Sequence, residues 1–171
     1  GADYLNAGDG DDLVYAGEGN DLVEGGAGND YLDGGVGDDQ IISGFGHDQL
    51  FGGEGADKFT ISKESNAHDV ITDFNINEDI LDLSEFGNKF INLKTLTALY
   101  GANEDQDGNS ILNLGDGQKL TLTDITLQDL DKLKINFNAA AKQGLVGDVK
   151  NNILTGTNGN DQILAAGGSD I

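Results

Sequence analysis

The chain has no cysteine, proline, methionine, tryptophan or arginine. Without cysteine there are no disulfides, no thiolate metal site and no cysteine nucleophile. Without arginine the usual bidentate clamp for phosphate is missing. Only 9 basic residues, all lysine, face 31 acidic ones, giving a formal net charge of −22 over 171 residues. A surface of that sign repels nucleic acid and anionic lipid and attracts cations. No apolar run approaches the roughly 18 residues of a membrane-spanning helix. The opening stretch GADYLNAGDG has neither the basic nor the apolar region of a signal peptide, so an export signal is expected elsewhere. Catalytic signatures are absent too: there is no H-E-x-x-H, no G-x-S-x-G and no P-loop. His47 stands in a turn and His68 before a strand, and both are read as exposed rather than catalytic. The chain is therefore expected to be a non-catalytic module.

What is abundant is glycine, 27 in all, and it is placed in phase with aspartate. Asp3, Asp12, Asp21, Asp30, Asp39, Asp48 and Asp57 follow one another at a constant spacing of nine. Two residues before each lies Gly1, Gly10, Gly19, Gly28, Gly37, Gly46 or Gly55. Four residues before all but the first lies Gly8, Gly17, Gly26, Gly35, Gly44 or Gly53. Two residues after each aspartate comes an apolar side chain: Leu5, Val14, Val23, Leu32, Ile41, Leu50, Phe59. An unbroken short period of this kind signals a solenoid.

Each unit divides into turn and strand. Six residues such as GGAGND are turn chemistry, because glycine reaches positive φ without steric cost. Three residues such as YLD form a short strand, of which only the middle one faces inward. Two turns and two strands close a coil of 18 residues, so the odd-numbered aspartates stack on one side and the even-numbered ones on the other. The few inward side chains cannot offset the conformational entropy of about 60 ordered residues. Stacked carboxylates add repulsion. Carboxylates and accessible glycine carbonyls together suit calcium, which takes six to eight oxygen ligands in flexible geometry; magnesium demands a tighter octahedron. The carboxylate pairs would also suit a glycosidase, but their phase with the glycines assigns them to metal. One calcium per gap gives about five in the first roll, at 3/21, 21/39, 39/57, 12/30 and 30/48. Residues 1–60 are expected to be disordered without calcium and β-rich with it.

GGAGNDYLD, GGVGDDQII, SGFGHDQLF and GGEGADKFT resemble the nonapeptide G-G-x-G-x-D-x-U-x of the RTX calcium-binding repeat. The resemblance implies an all-β fold, a right-handed parallel β-roll over residues 1–60, with calcium between turns 18 residues apart. The ligands it implies are the aspartates and the turn backbone: Gly8, Gly10, Gly17, Gly19, Gly26, Gly28, Gly35, Gly37, Gly44, Gly46, Gly53 and Gly55, with Asn20, Asn29 and Asp38 beside the aspartates. Ala7, Ala16 and Ser43 replace glycine at the first motif position, which is tolerated where φ is negative.

After Phe59 the pattern becomes short alternating runs, FTIS, DVITDF, DILDLS, SILNLG and KLTLTDI, separated by turn signals such as the GDG of residues 115–117. They predict a mostly antiparallel β cap over 61–138. Short helices are expected at LTALYG (96–101) and LQDLDKL (127–133), the second capped by Thr126. ADKFTIS and HDVITDFNINEDILDLSEFG resemble the cap that follows the roll in serralysin-type proteases and in the R-modules of mannuronan C5-epimerases. Asp69, Asp73, Asp79 and Asp82 are candidates there for one further calcium site. NEDQDGNS (103–110) opens like an EF-hand loop, but its twelfth position is Leu114 instead of glutamate, so it is read as a hairpin turn. NAAAKQG marks a linker, taken over 139–150. The repeat then returns over 151–171, with Asn152, Asp161 and Asp170 in phase, Leu154 and Ile163 inward, and Asp161 and Asp170 as further candidate ligands.

Three functions fit. The family implies a calcium-dependent folding and export module of a larger protein, secreted or held at the cell surface, with the type I secretion machinery as partner. An epimerase-like accessory module would bind an extracellular, alginate-like polysaccharide, provided Lys58, Lys63, Lys89, Lys94 and Lys119 gather on one face. A structural segment of an adhesin is the third. Unpaired coils at the two ends would favour calcium-dependent head-to-tail self-association.

Overall fold

The structure, a computed structural model, describes residues 1–90, 92–137, 145–146 and 163–164. Seven strands come from the repeats: β1 (Tyr4–Asp9), β2 (Leu13–Glu18), β3 (Leu22–Ala27), β4 (Tyr31–Val36), β5 (Gln40–Ile42), β6 (Gln49–Glu54) and β7 (Lys58–Thr60). Each pairs with the strand after next, always parallel, so that β1-β3-β5-β7 lie in one sheet and β2-β4-β6 in another. The register is the 18-residue coil: Leu5↔Val23↔Ile41↔Phe59 in the first sheet, Val14↔Leu32↔Leu50 in the second. These side chains form the inward columns. Val23, Leu32, Ile41, Leu50 and Phe59 are completely buried, while Leu5 and Val14, with no coil in front of them, are partly so.

Five of the seven strands are longer than three residues, while β5 and β7 keep that length. β1, β2, β3, β4 and β6 each run for six, because the glycines continue the ladder, as in Gly8↔Gly26 and Gly35↔Gly53. The turn proper shrinks to residues such as 28–30. The reason is close stacking. Gly26 and Gly28 have φ of +97° and +138°, and a Cβ on either would collide with the carbonyl of Gly8 or Gly10 in the coil before. The first motif position is different: Gly25, Gly34 and Gly52 do not have positive φ, in line with the alanines and serine that replace glycine in other repeats.

Pairing does not stop at residue 60. β8 (His68–Ile71) lies parallel to β6 with Leu50↔Ile71, and β9 (Ile80–Asp82) lies parallel to β7 with Phe59↔Leu81. The apolar columns thus continue through Ile71 and Leu81 after turns lengthened by three and four residues. β12 (Gln118–Leu122) then adds parallel to β8, and β13 (Lys134–Asn136) parallel to β9. Only β10 (Ala102–Glu104), β11 (Ser110–Gly115) and β12 pair antiparallel. The segment after the roll is therefore mixed: antiparallel hairpins of its own, joined to the roll by parallel pairs. The fold class is the expected one, an all-β parallel roll with a β-rich segment on its end.

The local details have local causes. Helix α1 (Leu93–Tyr100) starts three residues earlier than expected because the Asn92 side chain accepts from the Thr95 amide, and it buries Leu96. Residues 130–132 make a single 3-10 turn, preceded by Thr126, whose amide and hydroxyl both donate to Asp129. Within NEDQDGNS, residues 105–109 form the hairpin loop between β10 and β11. Asp105 closes it by accepting from the amides of Asp107 and Asn109, both at 2.9 Å. One contiguous core runs from Val23 to Leu130, with Phe59 against Phe74 where roll meets cap. β14 (Leu145–Val146) and β15 (Ile163–Leu164) pair parallel with Leu145↔Ile163, again 18 apart. β14 thus falls within the segment taken as linker; the rest of that segment and the candidates Asn152, Leu154, Asp161 and Asp170 lie outside the described residues, and of Ile163 only its place in β15 is described.

The stacking predicts a position effect. Gly8 and Gly26 hold the same motif position and nearly the same φ, yet a Cβ at Gly8 meets nothing within 4 Å. Gly8→Ala should cost about 1–2 kcal/mol, the penalty for positive φ. Gly26→Ala adds a backbone collision and should cost several-fold more. Thermal melts of the two variants with calcium check this; equal losses would contradict it.

Candidate metal centre

The turns bring the repeat aspartates into two columns. The amides of Asp3, Asp21 and Asp39 donate to Oδ1 of Asp21, Asp39 and Asp57 at 2.6, 2.7 and 2.9 Å. Those of Asp12 and Asp30 donate to Oδ1 of Asp30 and Asp48, both at 2.9 Å. One carboxylate oxygen therefore ties each coil to the coil before. The other is left over. Oδ2 of Asp12, Asp21, Asp30, Asp39, Asp48 and Asp57 is buried without a hydrogen-bond partner. A buried acceptor with no donor is costly, and a buried charged one more so.

A second ladder runs the opposite way, and the sequence reading passed over it. From Asp12 to Asp48, the residue before each aspartate accepts from the backbone of the following coil. Asp11 Oδ1 takes the Asn29 amide at 2.7 Å, Asn20 the Asp38 amide at 3.1 Å, Asn29 the His47 amide at 3.0 Å, and Asp38 the Ala56 amide at 2.9 Å. His47 continues it, its Nδ1 accepting from the His68 amide at 2.9 Å. This gives the exposed Asn20, Asn29 and Asp38 a structural task between coils. The signal was present in the sequence: a column reading Asp, Asn, Asn, Asp, His contains only side chains that can accept.

The electrostatics follow from burial. Desolvation pushes Asp48 up to about 7 and Asp57 to about 6, against the partial relief of the amide each accepts and with repulsion from neighbouring carboxylates. Asp30 and Asp39 move up for the same leading reason. The columns thus resist ionisation unless a cation enters.

The donors on offer are all oxygens. Each gap has an unpartnered carboxylate oxygen, and the carbonyls of Gly10, Gly19, Gly28 and Gly37 face the glycine Cα of the next coil so closely that no Cβ fits between. Among the described residues no three His, Cys, Asp or Glu side chains converge on one point. A soft or borderline metal has no ligand set here. A hard cation that accepts mixed backbone and carboxylate oxygens does, and calcium is the one suited to a low carboxylate count and a flexible cage.

The four candidates after the roll do not form one cluster. Asp69 and Asp79 extend the two columns: Oδ1 of Asp69 accepts from the Asp48 amide at 3.2 Å, and Oδ1 of Asp79 from the Asp57 amide at 2.9 Å. Asp73 accepts from the amides of Gly52 and Gly53 at 3.0 and 2.9 Å. Asp82 stands apart, in an ion pair with Lys58 at 2.6 Å. Three of the lysines sit on different elements: Lys58 on β7 of one sheet, Lys119 on β12 of the other, and Lys94 on α1. Of the histidines, His47 is exposed and His68 half-buried, with Nε2 2.7 Å from Thr121 Oγ1.

The model of the RTX calcium-binding nonapeptide repeat matches residues 1–32, 24–59 and 145–171, together half of the chain. Two solved structures from the mannuronan C5-epimerase of Azotobacter vinelandii are similar. The AlgE6R2 subunit is 27% identical with a TM-score of 0.60, covering 78% of this chain and 92% of its own. The AlgE6R3 subunit is 26% identical with a TM-score of 0.58, covering 77% and 80%. No curated protein matches this chain in sequence.

The buried carboxylates set a pH dependence with a definite sign. Their folded-state values lie above the ordinary 3.8 of the unfolded chain, so the metal-free fold holds protons that the unfolded chain has lost. Protonation stabilises that fold in acid, and the contribution disappears as pH rises through about 6 to 7. Calcium needs the ionised form. Its affinity should therefore fall between about pH 8 and about pH 5, and binding near pH 6 should release protons. Calorimetry in buffers of different protonation enthalpy measures both; a flat affinity without proton release would refute it.

Proposed function

The chain belongs to the family of RTX calcium-binding nonapeptide repeats, and from that premise we propose that it is the calcium-triggered folding module of a larger protein secreted through a type I machinery. The observation that carries this reading is the column of buried aspartate oxygens without partners. Such a column opposes compaction while calcium is scarce, as inside a bacterial cell, and favours it where calcium is abundant, as outside. The chain would pass the secretion machinery unfolded and lock afterwards. We assign five ions to the roll, in the gaps 3/21, 12/30, 21/39, 30/48 and 39/57, with the aspartates and glycine carbonyls of those turns as ligands. The module itself would have no catalytic role; catalysis, where the parent has any, would belong to another domain.

A second reading, an accessory module that holds an extracellular polysaccharide, is supported by the likeness to the epimerase subunits and by one surface feature. Tyr15, Tyr31 and Phe51 form an outward row across β2, β4 and β6, with ring centroids 5.6 and 4.8 Å apart. Aromatic rows offer stacking area to sugar rings. The scattered lysines and the net charge of −22 argue against a uronate polymer, so an uncharged glycan is the better ligand on this reading. A glycan-binding screen with the calcium-loaded chain and a Tyr31→Ala variant tests it.

For the principal reading, circular dichroism during calcium titration should show a cooperative gain of β-structure, reversed by chelator, because each ion joins two coils. Asp30→Ala, in the middle of its column, should raise the calcium midpoint more than Asp3→Ala at the exposed end. A spectrum unchanged by chelator would show that packing alone suffices and would remove the proposal.

A further inference from the structure

We propose that the junction between roll and cap carries one more calcium site, at Asp69, and that the parallel junction at Asp79 carries none. The inference rests on the reading that the roll binds calcium, but it concerns residues outside the nonapeptides. Asp69 comes 21 residues after Asp48, in NAHDVI, where the nine-residue period has already failed. The fold nevertheless places it as the next member of the even-numbered column, with Oδ1 on the Asp48 amide.

Its other oxygen behaves like those of the repeats. Asp69 is 0% exposed, and its Oδ2 has no hydrogen-bond partner. Seven aspartates have such an orphaned oxygen among the described residues; six lie in the nonapeptides and the seventh is Asp69. The surroundings supply more oxygen. Ser43, wholly buried, points its hydroxyl at the Asp69 carboxylate as a hydrogen-bond donor, which leaves Oδ2 as the oxygen without a partner, and the Ser43 oxygen accepts from the Ser62 amide at 3.1 Å. Glu64 lies within repelling distance of both Asp48 and Asp69, and its Oε1 takes the Gly46 amide at 2.9 Å. In earlier coils the matching glycine amide donates to a backbone carbonyl, as Gly28 does to Phe45 and Gly37 to Glu54. Here a carboxylate replaces that carbonyl. None of Asp48, Glu64 and Asp69 forms an ion pair with a lysine among the described residues. Negative charge is thus concentrated around a buried, unpartnered oxygen, with only oxygen donors nearby, which is what a hard cation needs.

The Asp79 junction looks equivalent in topology and differs in chemistry. Asp79 gives Oδ1 to the Asp57 amide and Oδ2 to the Asn75 amide at 2.7 Å, so both oxygens are satisfied. Both oxygens of Asp73 are taken by Gly52 and Gly53. Protein donors close this column; the other is left for an ion.

The test counts calcium bound by the full chain, by equilibrium dialysis and metal analysis, in the unaltered protein, Asp69→Asn, Asp79→Asn and Asp30→Asn. Asparagine keeps an acceptor for the amide and removes the charge. Asp30→Asn, which borders two gaps, should lose at least one ion, Asp69→Asn one, and Asp79→Asn none. A full count in Asp69→Asn, or equal losses in Asp69→Asn and Asp79→Asn, overturns the proposal. An unaltered chain that binds no calcium overturns the underlying reading instead, and this one with it. Should Asp69→Asn not fold, a calcium-loaded crystal structure of the unaltered chain decides: an anomalous peak within about 2.3–2.6 Å of Asp69 Oδ2 supports the site, and its absence removes it.

Discussion

The structure depends on a carboxylate used on one side only. Each repeat aspartate from Asp21 to Asp57 bonds a backbone amide through one oxygen and buries the other with nothing to meet it. The first oxygen sets the register of adjacent coils. The second makes that register unfavourable until a cation arrives. Glycine serves the same constraint, because a Cβ at Gly26 or Gly28 would occupy the space between turns. On the proposed reading, calcium binding and folding would be coupled through the same atoms.

The apolar columns have a different task. They fix which face points inward, and they give the roll a continuous core with the cap, through Phe59 against Phe74 and through Ile71 and Leu81 below Leu50 and Phe59. A solenoid end exposes an unpaired strand edge and half a core. β8 and β9 cover it by imitating one more coil, and only then does the chain turn into antiparallel hairpins. In the first coil the inward Leu5 and Val14 are only partly buried.

The two side-chain ladders also differ in what they do. The buried aspartate ladder concentrates carboxylates whose burial opposes ionisation. The exposed ladder of Asp11, Asn20, Asn29, Asp38 and His47 holds neighbouring coils by ordinary hydrogen bonds on the rim. With both sets in place, adjacent turns are linked in both chain directions, which limits sliding of one coil past another. The lysines take no part in these ladders, and Lys58 instead pairs with Asp82 on the outer face.

Most of the roll was legible in the sequence because, in a solenoid, the residue 18 places on is the spatial neighbour. A period along the chain is then a tertiary contact map, and the inward column, the aspartate columns and the coil length could all be read from spacing. That reading lapsed wherever the period did. Asp69 and Asp79 join the columns after insertions of three and four residues, so no spacing rule reaches them. The parallel joins of β8, β9, β12 and β13, the separation of Lys58 from Lys119, and the pairing of Asp82 depend on how the lengthened turns fold back. Above all, the sequence treats the two oxygens of an aspartate as the same. Only the three-dimensional packing decided that Oδ1 of Asp69 meets an amide while Oδ2 meets nothing, and that Asp79 has both oxygens satisfied, because donor direction and burial arise only once the coils are stacked.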